Sequence, residues 1–540
     1  MLRRAFAFVA VTLLAVPLLV NAPLLDPDEG LHAAIAQDMV LRHDYVTPTF
    51  LGQPFLDKPI LFFWTEALSL RAFGMNEAAV RIPPLLFGTL GMVAVALLAA
   101  AIFGAAIGLA AGIVYATMVL PVAIANVAVH DIALVPFMCG AAWCLWRAAH
   151  DPRAWRWGIP AGVCLGLSIL TKGLAGAVFA GIFAVCVAAW RPYTIARLAI
   201  ALVVAGIVAV IVAAPWYAAM ERAHPGYLYY YFVERHLRGY LTATQRHGGR
   251  PFWYYLPIVI GGALPWTGYL VDALWQLWRR ERPETTTACA MPSRGAIAIV
   301  WSWGAIGLLF LSLGESKLVT YVLPVFPALA MAIAASLLAG GRSRAGFVTA
   351  VVALAVLPTA AVMAVHVLLG APLAATWILP AAAGVAVLVI AASAARAASI
   401  ETFVAASAAM AVLSLVAVLA APFPRAAAYL TSRDLARLLN EGGTLPPRVS
   451  IVDERIGSIV FYLSPALRAE ATPDRVHSAS FTEAIDGARR DPADAIVAVR
   501  DDQLPRFLRL FPNAPQPAAR AGTFSVFRVE RLRDALGRGR

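Results

Sequence analysis

The sequence predicts an all-α polytopic membrane protein with a small α/β domain at its C-terminal end. Three observations lead there: 61% of the residues are hydrophobic and only 14% charged, the mean hydropathy is +0.75, and long apolar runs alternate with short arginine clusters until about residue 421. The formal net charge of +12 would suit a nucleic-acid binder. Here, however, the arginines lie in the short connections that a membrane chain requires, so the charge is assigned to topology and lipid phosphates and no nucleic acid is expected. Cys139, Cys144, Cys164, Cys186 and Cys289 form no C-x-x-C pair and read as small core residues.

A spanning helix needs roughly 20 apolar residues. About thirteen candidates begin near Ala5, Val80, Gly104, Asp131, Trp157, Gly173, Arg197, Phe252, Ala296, Tyr321, Ala345, Pro372 and Thr402. The run from Gly158 to Trp190 is interrupted only by Thr171-Lys172-Gly173, and a lysine at mid-bilayer costs about 2.5–3.5 kcal/mol on insertion scales. A hairpin is therefore expected over a single long helix. The first segment also has the look of a signal peptide cleaved near Ala22, against which Pro23 at the new terminus argues.

With the amino terminus inside, the inner connections carry Arg147, Arg153 and Arg156, then Arg191 and Arg197, then Arg279, Arg280, Arg282 and Arg294, then Arg342 and Arg344, then Arg396. Apart from the tight turn at Gly104 they obey the positive-inside rule. An odd span count places the tail outside, giving a membrane domain over 1–421 and an outer α/β domain over 422–540. In the tail, Val449 to Val452, Ile496 to Val499 and Phe524 to Val529 are expected strands.

The first outer loop, 21–79, contains two expected interfacial helices, Pro27 to Arg42 and Pro59 to Phe73, the second rich in aromatic residues. In the first, Asp26 is the expected N-cap, Pro27 the first helical residue and Glu29 the closing member of a capping box, which leaves the Asp28 carboxylate available. Asp57 is either the cap of the second helix or, with Lys58, half of a charge pair at the bilayer surface.

Lysine usage is the most informative feature. Of 43 Lys plus Arg residues only three are lysine, namely Lys58, Lys172 and Lys317, and all are expected at the outer face. In so arginine-rich a chain they are candidates for positions needing a compact ammonium, above all for phosphate. His130-Asp131, where N-capping competes with function, Thr171-Lys172-Gly173 and Ser316-Lys317, followed by Tyr321, reach the same level. The loop from Trp216 to Arg250 carries Arg222, Arg235, Arg238, Arg246 and Arg250 outside. That cluster is expected to meet lipid phosphate, with Arg235 and Arg238 as substrate contacts, or else to form a solvated surface paired with Glu221 and Glu234. His224, His236 and His247 lack metal-motif spacing. No cofactor is expected beyond, at most, a divalent metal, for which Asp57 with His236 is the one suggestive pairing.

Leu25-Asp26-Pro27-Asp28-Glu29, Asp57-Lys58-Pro59, His130-Asp131, Thr171-Lys172-Gly173 and Ser316-Lys317 leading to Tyr321-Val322-Leu323-Pro324 together resemble the GT-C membrane glycosyltransferases, most nearly the ArnT-type aminoarabinose lipid A transferases. The resemblance covers the chain in order from about Asn21 to Pro327. It implies Asp28 and Asp131 as catalytic carboxylates, Lys58 on the carrier phosphate, and Glu29, Asp57, Lys172, Lys317 and Tyr321 lining the substrate site. It further implies transfer of 4-amino-4-deoxy-L-arabinose from undecaprenyl phosphate to a lipid A phosphate at the periplasmic face of a bacterial inner membrane, by a monomer, raising resistance to cationic peptides. The chain departs from the pattern at Gly30-Leu31-His32 and at Asp57, which leaves the sugar open. Another carrier-dependent GT-C enzyme, including a protein O-mannosyltransferase, shares these features, as does a transporter of a lipid-linked sugar. Transporters, though, place substrate groups nearer the midplane.

Overall fold

In the computed structural model, residues 1–242, 248–279, 293–339, 343–369, 377–397, 399–452, 454, 456–510 and 515–537 are described. Arg246, His247, Arg280, Arg282, Cys289, Arg342 and the expected span start at Pro372 lie outside them. Each of the thirteen apolar segments contains helix. Eight helices among the described residues are long and apolar enough to cross a membrane, or up to ten if two bent pairs each count as one span. The bends, 66° between Ala105–Ala116 and Val119–Ala125 and 112° between Phe252–Gly262 and Thr267–Trp275, interrupt segments that the sequence reads as single spans. The helices Ala154–Lys172, Ala175–Trp190 and Ile378–Ala394 fall short by length or polarity.

Small residues set the packing. On Ala154–Lys172, Gly158, Gly162 and Gly166 lie one turn apart and face Ala201, Ala205 and Ala209 of Ile195–Ala223. A Cβ on these glycines would come within 2.5–2.7 Å of that helix. Such close backbone approach is how helices associate where lipid is as apolar as their side chains. The expected hairpin is present: Lys172 ends its helix at Gly173, whose φ is +67°, and the chain turns back so that Gly176 lies against Ser168. Lys172 is thereby held at one end of the bundle.

At that end the two interfacial helices form at Asp28–Arg42 and Leu61–Phe73. Neither uses the expected cap. Asp26 turns its carboxylate to the tail, and Pro27 precedes the first helix without a side-chain cap. Glu29 closes no capping box; it is buried against Arg81, whose Nε and Nη2 each lie 2.9 Å from its carboxylate oxygens, and it also accepts from the Leu25 amide at 2.8 Å. Arg81 donates its remaining bonds to the carbonyls of Ala22 and Pro23. A guanidinium in a dry site is tolerated only when its donors are satisfied in this way.

The tail forms a five-stranded sheet from β1 (Val449–Val452), β2 (Val476–Ala479), β3 (Ile496–Arg500), β4 (Ala519–Ala521) and β5 (Phe524–Arg528), in the order β2-β1-β3-β5-β4. β1 is parallel to β2 and β3, whereas β5 is antiparallel to β3 and β4. The short strands β2 and β4 were not expected; β2 is half polar, and β4 is a three-residue edge. Alternation sends Ile496 and Ala498 into a core continuous with that of the membrane helices, and Val497 and Val499 into a separate core with Phe507 and Phe527. One face of the tail is thus built into the helical bundle, through the helix Gly457–Tyr462 packed on Asp28–Arg42.

Candidate functional site

Side chains from six separated segments gather where the first interfacial helix meets the ends of the spans. Asp131 opens the helix Asp131–His150, and Lys172 closes Ala154–Lys172. Their side chains form an ion pair, completed by a hydrogen bond between Asp131 and the Thr320 side chain. The Lys172 ammonium also lies 4.2 Å from the centroid of the Tyr321 ring, a cation–π contact that directs it toward the Val319–Val325 segment. Asp131 therefore acts as a charge partner more than as a cap.

Asp57 is equally committed. It accepts from the Tyr230 hydroxyl at 2.5 Å and pairs with Arg235 at 3.1 Å, so it does not cap the second interfacial helix, which begins four residues later. Burial, then the bond to Asp57, pushes the Tyr230 hydroxyl up to about 12. Tyr230 and Arg235 lie on a π-helical stretch, Tyr229–Arg238, braced by stacking among Tyr217, Tyr227 and Tyr231.

Lys58 lies among these groups: its charge acts on His32, His130, Asp131 and His236. Among the described residues its ammonium makes no hydrogen bond or ion pair. Behind it, His32 and His130 are buried with ring centroids 4.5 Å apart, between Phe62 and Phe63. His32 Nδ1 is 2.8 Å from the Ala128 carbonyl; the His130 ring faces the Pro59 carbonyl without a bond of normal geometry. Burial holds both imidazoles below the usual histidine range, with the charge of Asp28 opposing at His32, and His32 and Lys58 adding to the effect at His130. Both are neutral at pH 7. Asp28 is exposed at the first turn of its helix, and its charge acts on His32 and Tyr321.

Asp28, Lys58, Asp57, Asp131, Lys172, Arg235 and Tyr321 are thus brought together. Three other expected residues are not. Glu29 is turned into the core toward Arg81, and Lys317 is buried with its ammonium 3.2 Å from the Arg250 carbonyl. Arg238 is 60% exposed and makes a local pair with Glu234, as a solvated surface would. The two arginines of the π-helical stretch therefore part company: Arg235 turns to Asp57 and Arg238 to the surface. Asp57 and His236 do not form a metal pair: Asp57 is taken by Arg235, while the His236 nitrogens face the Tyr231 carbonyl at 2.8 Å and the Lys172 backbone. Among the described residues no group of three or more His, Cys, Asp or Glu side chains is arranged to hold a metal. Sequence reasoning missed His32, Tyr230 and Thr320. The one signal available was the pairing of Leu31-His32 with His130, two histidines on segments already flagged.

The arrangement offers a carboxylate open to solvent and, across from it, cations at the level where helices end. Among solved structures the chain has the fold of ArnT from Cupriavidus metallidurans bound to undecaprenyl phosphate, at a TM-score of 0.75 with 22% identity over 96% of each chain. That fold defines a polytopic helical membrane protein with an α/β unit at its C-terminal end. By sequence the chain is similar to the undecaprenyl phosphate-alpha-4-amino-4-deoxy-L-arabinose arabinosyl transferase of Erwinia tasmaniensis, 31% identical over 329 residues (59% of this chain, 56% of that one). It is equally similar to that of Aeromonas salmonicida, 31% identical over 370 residues and 64% of each chain. The match therefore spans less than two thirds of the length of these relatives. Residues 57–218 match the family described as dolichyl-phosphate-mannose-protein mannosyltransferase.

Proposed function

We propose that the protein is a glycosyltransferase that moves 4-amino-4-deoxy-L-arabinose from undecaprenyl phosphate to a lipid A phosphate, at the periplasmic end of a membrane domain of thirteen spans. The observation that carries this reading is the Lys58 ammonium, which makes no hydrogen bond or ion pair among the described residues and whose charge acts on Asp131 of the Asp131–Lys172 pair, beside the Asp57–Arg235 pair. Such an ammonium suits an anion, and a lipid-borne phosphate at the bilayer surface supplies one. In the transfer the acceptor oxygen bonds to the anomeric carbon as the bond to the carrier phosphate breaks. Lys58 and Arg235 take up the negative charge that develops on the departing phosphate. A phosphate acceptor is already ionised at neutral pH, so Asp28 orients it or the sugar amine; with a hydroxyl acceptor Asp28 would be the base. Lys172, fixed by Asp131 and Tyr321, adds a third cation whose position does not depend on substrate. The names of the relatives, undecaprenyl phosphate-alpha-4-amino-4-deoxy-L-arabinose arabinosyl transferases, support the choice of donor and sugar.

The match of residues 57–218 to a protein mannosyltransferase family favours a second reading, with a protein hydroxyl as acceptor. The test is reconstitution of the purified protein with lipid-linked aminoarabinose and lipid A, read by mass spectrometry, beside the same measurement on lipid A from cells with and without the protein. Aminoarabinose should appear on lipid A with the wild type and vanish with Asp28→Asn, while binding of undecaprenyl phosphate persists. Sugar found on protein alone establishes the second reading, and an active Asp28→Asn refutes the role given to Asp28.

A further inference from the structure

We infer that the C-terminal domain sets the position of Asp28 by clamping the turn that precedes it, with Asp26 as the positioning residue. The inference rests on the proposed role of Asp28. Asp26 lies two residues before Asp28, yet its carboxylate belongs to the tail: Oδ1 accepts from the Ser458 amide at 2.6 Å, and Oδ2 from the Ser458 hydroxyl at 2.5 Å and the Ser432 hydroxyl at 2.8 Å. The Asp26 amide in turn donates to the Leu430 carbonyl at 2.7 Å. Four bonds therefore tie one loop residue to a domain more than 400 positions away in the chain.

Backbone contact closes the other side of the clamp. Gly30, two residues after Asp28, lies directly on the Ser458 backbone, so that any Cβ there would collide with it. Gly457 meets the same helix reciprocally; a Cβ on it would come within 2.6 Å of the Pro27 carbonyl oxygen. Glycine at both positions allows a contact that no other residue fits, since the colliding atoms are backbone and cannot swing aside. From the membrane side, Glu29 is fixed by Arg81. Residues 26, 29 and 30 are thus all anchored, whereas Asp28 between them stays exposed. A carboxylate that must meet an acceptor needs this restraint, because a displacement of about 1 Å costs on the order of a hundredfold in rate. Nothing else described in the site requires the tail: Lys58, Lys172 and Arg235 are positioned by the helices of the membrane domain.

The test uses the full-length protein in bilayer nanodiscs and compares Asp26→Ala, the shape-conserving Asp26→Asn, and Ser458→Ala. Deuterium exchange at residues 28–31 and steady-state transfer kinetics are measured together. Asp26→Ala should raise exchange at residues 28–31 about tenfold or more. It should lower kcat about a hundredfold and leave KM for the lipid-linked donor within about twofold. Asp26→Asn should recover most of both losses, since its amide carbonyl still accepts from the Ser458 amide. If Asp26→Ala does not fold, Ser458→Ala, which deletes one hydroxyl, is read by the same criteria. Unchanged exchange at residues 28–31 overturns the clamp, and so does a parallel loss of kcat, KM and protection throughout the fold. A wild type inert toward every lipid-linked sugar counts against the transferase reading alone, and the exchange arm then decides the clamp by itself.

Discussion

Two ion pairs made by carboxylates of the segment 21–79 are built to opposite rules. Glu29 and Arg81 are 0% and 3% exposed in their side chains, with the guanidinium bonded on every side. Asp57 and Arg235 are 37% and 29% exposed, and Lys58 beside them has no bonded partner among the described residues. A dry, saturated pair holds two segments in one arrangement. An open, incompletely satisfied group keeps bonding capacity for something else. The contrast separates residues whose loss should unfold the protein from residues whose loss should only silence it.

The largest effect expected from that contrast is at Arg81. Arg81→Ala strands a buried carboxylate and should cost about 3–5 kcal/mol, seen as a fall in Tm or a loss of monodisperse protein in detergent; an unaltered Tm would break the distinction. Lys58→Ala should do the reverse. With no partner to orphan among the described residues, it should change stability by no more than about 0.5 kcal/mol, yet on the proposed role it should weaken undecaprenyl phosphate binding by roughly ten- to a hundredfold through the loss of a charge-assisted bond. Titration with the lipid phosphate in nanodiscs measures this.

A subtler effect follows from the neutral imidazoles. Because burial lowers the folded-state pKa of His32 and His130, the unfolded chain binds more protons below about pH 6.5, and stability should fall as pH drops through that value. Asp26 has the opposite sign. Burial raises its carboxyl to about 6 against the bonds from Ser458 and Ser432 and the nearby Arg500, so its contribution is present at low pH and is lost as pH rises through about 6. Tm measured from pH 4 to 7.5 should therefore show a flatter acid limb for His130→Phe and a steeper one for Asp26→Asn; identical profiles would remove the assignment. The smallest effect is expected at Arg238. Held on the surface by Glu234 and a long bond to the Tyr229 hydroxyl, Arg238→Ala should leave Tm within about 0.5 kcal/mol equivalent of the wild type and transfer unaltered, and a tenfold loss would return it to the site.

The helices were legible because their signal is local. Apolar length, breakers such as Gly104 and Gly173, and aromatic belts placed both interfacial helices within two residues of their observed starts at Asp28 and Leu61. Three of the five tail strands were legible for the same reason, and the polar β2 and short β4 were not. The bends at 117–118 and 263–266 were hidden, since an apolar run reads the same whether straight or folded back. The Gly158-x3-Gly162-x3-Gly166 stripe was on view and would have shown which face of that helix packs closely.

Of the three carboxylates at residues 26–29, the sequence by itself determined only that they open a helix at a membrane surface. Capping rules treat such residues as serving their own helix, because that is the nearest unsatisfied backbone. The tertiary structure alone decided that Asp26 serves the tail and Glu29 serves Arg81, while Asp28 between them is exposed, since the first two choices depend on donors 432 and 52 positions away. The scarcity of lysine likewise marked Lys58, Lys172 and Lys317 as equals. Only packing turned two of them toward the acids and Lys317 toward the Arg250 carbonyl, because composition records which groups a chain has kept, and burial decides which of them meet.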